Sequence, residues 1–396
     1  MNSVAKGNVG LVSAGLAMIA VTYGLARFAY GLFLPELREA FDLDASVLGA
    51  IGAGSYVGYC GAIVISLVYT SKVGPRYMTI AAGLTAVVGM TVISTAPNTL
   101  FLAVGVIVAG SSTGLASPPM AEAVSKIVEH QGQDRANTLI NSGTSVGVAL
   151  SGPVALLATG QWRFAWAAFA AVGLVVLIWN ISVMPTRSKK DTVEDSAGSR
   201  YETSKENVPG LTLTWLVSRR SLRLFAAAIG LGVASAAYWT FSRELVVQVG
   251  GLSQLGSTLF WVVIGVSGLA GGGAGDLVNR FGLGMALRGS LLTMALSIGI
   301  LALAPGVLYA AYPSAALFGA TYITLTGILL VWSVRVFRER PSAGLGAAFL
   351  LIAAGQILGS CLAGVLTGIT ELSATFLIFS GATILTMVFG PDDKDS

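Results

Sequence analysis

The sequence predicts an all-α membrane protein, with twelve transmembrane helices in two pseudo-symmetric six-helix bundles. Three observations predict it. The 396 residues are 54% hydrophobic and only 11% charged, against about 25% charged in a soluble domain, and mean hydropathy is +0.78. Twelve apolar runs are long enough to cross a bilayer, which takes about 20 helical residues. One polar, charge-dense stretch divides those runs six and six.

In order, the runs cover 9–34, 46–69, 77–96, 99–120, 137–159, 162–184, 222–242, 253–275, 285–304, 306–334, 343–366 and 372–390. The breaks are short and chemically marked: PELREAFDLD after the first run, APN at 96–98, GQWR at 160–163 and APG at 304–306. The exception is TRSKKDTVEDSAGSRYETSKENVPG, which reads as a solvated linker ending in a short amphipathic stretch, LTLTWLVSRR. The organisation is therefore an N-terminal bundle at 1–185, a linker at 186–221 and a C-terminal bundle at 222–396. The first run is too long for the core of a signal peptide, and more spans follow it. Fifty glycines suit helices that pack closely in lipid.

Lysine and arginine set the orientation. With both termini in the cytoplasm, 19 of the 23 basic residues fall on the inner side. Only Arg38, Arg163 and Arg243 fall outside, and Arg27 lies within its span. The net charge of +4 follows this asymmetry and does not point to nucleic acid. Cys60 and Cys361 lie in apolar spans without partners at metal-ligand spacing and read as small core residues. His130 is the only histidine, which excludes a His-based metal or catalytic cluster within one chain. No metal or cofactor is expected. An intramembrane enzyme would need a nucleophile with a base, or a metal, and the spans hold no paired carboxylates.

The chain also repeats itself. Gly143, Gly147 and Gly152 in span five stand 212 residues before Gly355, Gly359 and Gly364 in span eleven. Gly74, after span two, stands 208 before Gly282, after span eight. A duplicated six-helix unit explains both, and an even number of spans makes the copies parallel.

These features resemble the major facilitator superfamily over the whole chain. The loop signature of that family is G-x-L-x-D-R-x-G-R-K. GDLVNRFG carries Gly275, Leu277, Arg280 and Gly282, with Asn279 in place of the acid. LVYTSKVGPR keeps Lys72, Gly74 and Arg76, with Leu67 for the first glycine and Ser71 for the acid. These two loops are the expected gating loops. GVALSGPVA resembles the family's antiporter motif through Gly152 and Pro153. The arginine that many drug exporters carry in span four is absent. LARFAYGLFLPEL looks like the first helix of the YbfB-like bacterial branch. The resemblance implies a multi-pass protein of the bacterial cytoplasmic membrane, a monomer in the bilayer that takes a small-molecule substrate.

Charged and polar groups in the spans are costly and therefore informative. Tyr23, Arg27, Tyr30 and Leu34 recur at helical spacing and share a face. Arg27 has two readings: a cavity arginine that receives an anionic group, or an arginine that satisfies broken-helix carbonyls or snorkels outward. Arg243 is the expected repeat mate of Arg27, with Trp239 one turn before it. Glu244 is the candidate for proton coupling. Both charges could equally mark the end of span seven. Gln356, with Asn141 and Thr144, either lines the path or joins helices. The G-x-x-x-G pairs of spans two, five, eight and eleven suit a sliding surface between the halves, or general tight packing.

The expected function is secondary transport by alternating access of a small, anionic organic solute, with protons as the candidate coupling ion. No nucleotide-binding motif accompanies the spans. The alternatives are proton-coupled efflux of lipophilic compounds and a transporter-like membrane sensor.

Overall fold

The computed structural model describes residues 2–158, 161–185, 218–337 and 341–391. The expected linker therefore lies largely outside the described residues. Among the described residues every regular element is helical, and twelve helices are long and apolar enough to span a membrane. They are Val9–Leu32, Ala45–Thr70, Pro75–Thr95, Thr99–Ile127, Gln131–Leu157, Trp162–Val183, Arg220–Val249, Gln254–Phe281, Leu283–Leu303, Leu308–Val336, Gly344–Ile369 and Leu372–Phe389, and are numbered as spans one to twelve. We call the end that carries the described chain termini the near end and the opposite one the far end.

Several helices outrun their apolar stretches. Span four continues through Pro118 and Pro119 to Ile127, because membrane helices tolerate proline when neighbours satisfy the freed carbonyls. Span five starts in the polar segment after Glu129, which hydropathy alone does not register. PELREAFDLD is not a loop: Leu34–Phe41 is a further helix, with proline in its first turn and Asp42 at φ 50° ending it. Asp44 then caps span two, accepting from the Val47 N–H at 2.9 Å. The Ser46 hydroxyl and that N–H hold the Asp44 carboxyl below the usual carboxylate range. Span seven begins from a capping box in which Ser218 and Ser221 bond each other's backbone N–H groups.

Glycines fix how the helices cross, and they show the repeat. A β-carbon at Gly143 or Gly147 would overlap the Leu16 and Ala20 carbonyl oxygens of span one. One at Gly355 or Gly359 would overlap or crowd the Ile229 and Val233 carbonyl oxygens of span seven. Spans one and five thus cross as spans seven and eleven do. The third glycine of each triplet faces the other half: Gly152 meets Val262, and Gly364 meets Ala45 and Gly49. Gly74 and Gly282 share one backbone conformation, at φ 92°, ψ 158° and φ 77°, ψ 158°. Both end a helix in the region that favours glycine.

Of the two readings of the G-x-x-x-G pairs, this packing favours general tight packing for most of them. Gly54 and Gly58 meet Ile107 of span four within the first half, and the pairs of spans five and eleven also serve their own halves. Only Gly268 and Gly272 of span eight face the other half, at Ser145 and Thr138. Cys361 is also not a core residue but exposed. It shares a face with exposed Leu358, Leu362 and Val365, at the spacing of a lipid-facing stripe.

A leucine at Gly355 must force spans seven and eleven apart. Overpacking costs about 1–3 kcal/mol and more where backbone is the obstacle. We expect Gly355→Leu to lower the melting temperature of the detergent-purified protein. Gly381→Leu, where a β-carbon meets nothing within 4 Å, should leave it near wild type.

Candidate functional site

Span one is not a plain α-helix. Ala20–Phe28 forms a π-helix, closed by the Ala29 N–H donating to the Gly24 carbonyl. Such wide turns are rare and frequent at functional sites. The wider turn replaces α-helical spacing over this stretch, and the helix breaks again at Phe33. Leu34 therefore sits beyond a break, fully buried, and does not extend one face with Tyr23, Arg27 and Tyr30.

Arg27 lies in the π-helical stretch and is 7% exposed. Its guanidinium carbon lies 4.5 Å from the Tyr56 ring centroid, 4.6 Å from Tyr59, 5.3 Å from Phe28 and 5.8 Å from Tyr23. Its Nη2 donates to Gln356 Oε1 at 3.0 Å, and Gln356 Nε2 donates to the Tyr322 hydroxyl at 3.1 Å. A hydrogen-bonded chain thus crosses from the first half to the second. Arg27 Nε has no partner, and among the described residues no carboxylate pairs with this guanidinium. Desolvated cation–π contacts are worth about 2 kcal/mol or more. The rings therefore offset part of the cost of burial and leave the charge itself uncompensated.

A small cavity beside Arg27 is lined by Phe28, Tyr30, Tyr56, Trp239 and Thr240, among others. Its free space of about 10 Å³ is the size of a water, so an organic solute enters only in another state of the protein. A second cavity of the same size, lined by Thr144, Ser145 and Ile264, shares Trp239 as a wall.

The expected residues separate into groups. Arg27, Tyr30 and Trp239 meet at the first cavity, and Gln356 joins Arg27 directly. The Tyr30 hydroxyl donates to the Leu48 carbonyl at 2.8 Å, and the Tyr23 hydroxyl pairs with Ser117 at 2.8 Å. Trp239 stacks on Phe28 with centroids 4.1 Å apart, a contact between halves. Asn141 is exposed and lines neither cavity. Lys72, Gly74 and Arg76 lie where span two gives way to span three, and Asn279, Arg280 and Gly282 where span eight gives way to span nine, both on the near end.

Arg243 is not part of the cavity lining. Its Nη1 donates to Glu36 Oε2 at 2.5 Å and to the Leu32 carbonyl. Its neighbour Glu244, fully buried, pairs with Arg38 at 2.5 Å. Glu36 and Arg38 belong to the Leu34–Phe41 helix of the first half, so two ion pairs of opposite sense join the halves at the far end. The repeat register agrees. Leu16 and Ala20 correspond to Ile229 and Val233, an offset of 213 that sets Thr240, not Arg243, against Arg27. The expectation of Arg243 as the repeat mate of Arg27 is therefore corrected.

Sequence reasoning missed Tyr56, Tyr59, Tyr322, Glu36 and Arg38. SYVGYC does place two tyrosines three apart in a span, which is a usable signal. Glu36 and Arg38 were hidden because their segment reads as a break.

Two helical halves, a buried cation between them and an ion-paired closure at one end describe a multi-pass membrane transporter. The chain belongs to the Major Facilitator Superfamily, whose family model matches residues 16–353. The transcription regulatory protein OpdE of Pseudomonas aeruginosa is 28% identical over 347 residues, covering 86% of this chain and 83% of that one. Among solved structures, a mutant form of the nucleoside transporter NupG superposes with a TM-score of 0.76 at 13% identity, over 96% of this chain and 98% of that one. The xylose transporter XylE of E. coli, in an inward open conformation, gives 0.74 at 15% identity, over 96% and 94%. At these identities the two structures speak for the fold.

Proposed function

We propose that this chain is a secondary transporter that moves a small organic anion by alternating access. The two halves rock about a midplane site centred on Arg27. A single observation carries the reading: Arg27 is buried between the halves with no carboxylate partner among the described residues, while Arg38 and Arg243 each have one. An unpaired buried charge is costly, and a guanidinium always keeps its charge and offers a planar fork suited to carboxylate or phosphate. An anionic cargo supplies the missing partner. Glu244 is held by Arg38 away from the cavity lining, which removes the acid that an exporter of lipophilic cations would offer.

In this proposal the near end, with both termini and the linker, is cytoplasmic, the membrane is the bacterial cytoplasmic membrane, and one chain is the working unit. Glu244 couples transport to protons, because protonation removes the charge that Arg38 pairs with. Arg243, Tyr30 and Glu36 are the other ionisable groups nearby.

The test is thermal stabilisation of the purified protein by organic anions, organic cations and uncharged compounds. Anions should raise the melting temperature and the others should not. A hydrogen bond to a charged group is worth about 1.5–3 kcal/mol, so Arg27→Lys and Arg27→Gln should weaken anion binding roughly tenfold or more. Wild-type affinity in both variants, or stabilisation by cations alone, would overturn the reading.

A second reading is a transporter-like sensor that binds its ligand without moving it. The name of OpdE, a transcription regulatory protein, favours considering it. Flux in proteoliposomes separates the two readings.

A further inference from the structure

Resting on the proposed anion site at Arg27, we infer that the group bound there is a carboxylate of single negative charge on a flat, unsaturated body, and that the Trp239 indole N–H helps to select it. Two residues lining the first cavity carry buried nitrogen donors without partners among the described residues: Arg27 Nε and Trp239 Nε1. The residues are 7% and 4% exposed. Such donors are ordinarily satisfied in native proteins, and two in the lining of one cavity call for a shared acceptor. Gln356 takes Arg27 Nη2 and leaves Nε for that acceptor. Ser55 also lines the cavity with an unpartnered hydroxyl, and its oxygen lies against Gly110 of span four.

Charge then narrows the class. The lining holds one cation and no acid. Arg243 and Arg38, the cations of the far-end closure, are taken by Glu36 and Glu244. A single negative charge neutralises Arg27. A phosphate ester, near −2 at neutral pH, would leave a negative charge in a buried place, which is unfavourable. The walls narrow it further: three of the lining residues, Phe28, Tyr56 and Trp239, are aromatic, a composition that favours a planar partner.

The experiment is isothermal titration of the full-length protein in lipid nanodiscs with benzoate, phenyl phosphate and benzyl alcohol at pH 7.5, for wild type and Trp239→Phe. Benzoate should bind, phenyl phosphate at least tenfold more weakly, and benzyl alcohol not measurably. Trp239→Phe keeps a ring and removes the N–H. It should weaken benzoate roughly tenfold while its melting temperature stays near wild type. Phenyl phosphate binding as tightly as benzoate would overturn the single-charge inference and leave the Arg27 anion site standing. Benzoate affinity unchanged in Trp239→Phe would overturn the role of the indole. Equal binding of benzyl alcohol and benzoate would overturn the anion site itself, and failure of benzoate to bind would overturn the assigned body.

Discussion

A valine at Gly31 is expected to stop transport. Gly31 sits where span one meets span seven, and a β-carbon there would overlap the Trp239 carbonyl oxygen, with the Trp261 ring at 3.0 Å. A carbonyl fixed in a helix cannot swing aside as a flexible side chain can. The halves can then no longer close at the far end, and a transporter held open on one side does not alternate. The readout is twofold. Substrate counterflow should fall at least roughly tenfold, since 1.4 kcal/mol already shifts a two-state population by that factor. A cysteine introduced at Thr240, which is 3% exposed in the closed form, should become readily labelled from the far side. Wild-type counterflow with slow labelling would mean that this crossing does not gate the path.

The second large effect is expected from Glu244→Gln. Glu244 is fully buried and its carboxylate meets Arg38 of the other half. Breaking a buried pair by removing one charge costs about 3–5 kcal/mol. Arg38 keeps a quarter of its side chain exposed, so water recovers part of that. Glutamine imitates the protonated acid permanently. Far-end labelling at Thr240→Cys should therefore rise as pH falls in wild type and be high at every pH in Glu244→Gln. A pH gradient should no longer drive uptake in the variant. The swapped pair Arg38→Glu with Glu244→Arg restores attraction with the charges exchanged, and should return a closed form that again opens as pH falls, because one carboxylate remains in the pair. Unchanged proton-driven flux in Glu244→Gln would remove this residue from coupling.

Most of the fold was legible in the sequence, because lipid imposes long apolar helices and forbids most alternatives. The repeat was legible for a related reason. Gly143, Gly147, Gly355 and Gly359 mark places where one helix rests on the carbonyls of another, and no larger residue fits. What those glycines touched was not legible, since a small residue signals a close neighbour without saying which. The site divided in the same way. Arg27 and Gln356 stood out as polar groups in apolar spans, and they do meet. Arg243 stood out equally but belongs to the far-end closure, because counting from span boundaries missed the register by about a helical turn. The π-helical stretch around Arg27 and the helix carrying Glu36 and Arg38 depend on tertiary partners that no local pattern records.

The central claim is that an organic anion crosses the membrane by way of Arg27. Its most direct measurement is counterflow of radiolabelled benzoate in proteoliposomes, with wild type, Arg27→Lys and Arg27→Gln reconstituted at equal amounts. The expected result is saturable uptake by wild type, a clear loss with lysine, which keeps the charge but lacks the fork, and none above empty vesicles with glutamine. Equal uptake by all three proteins would contradict it.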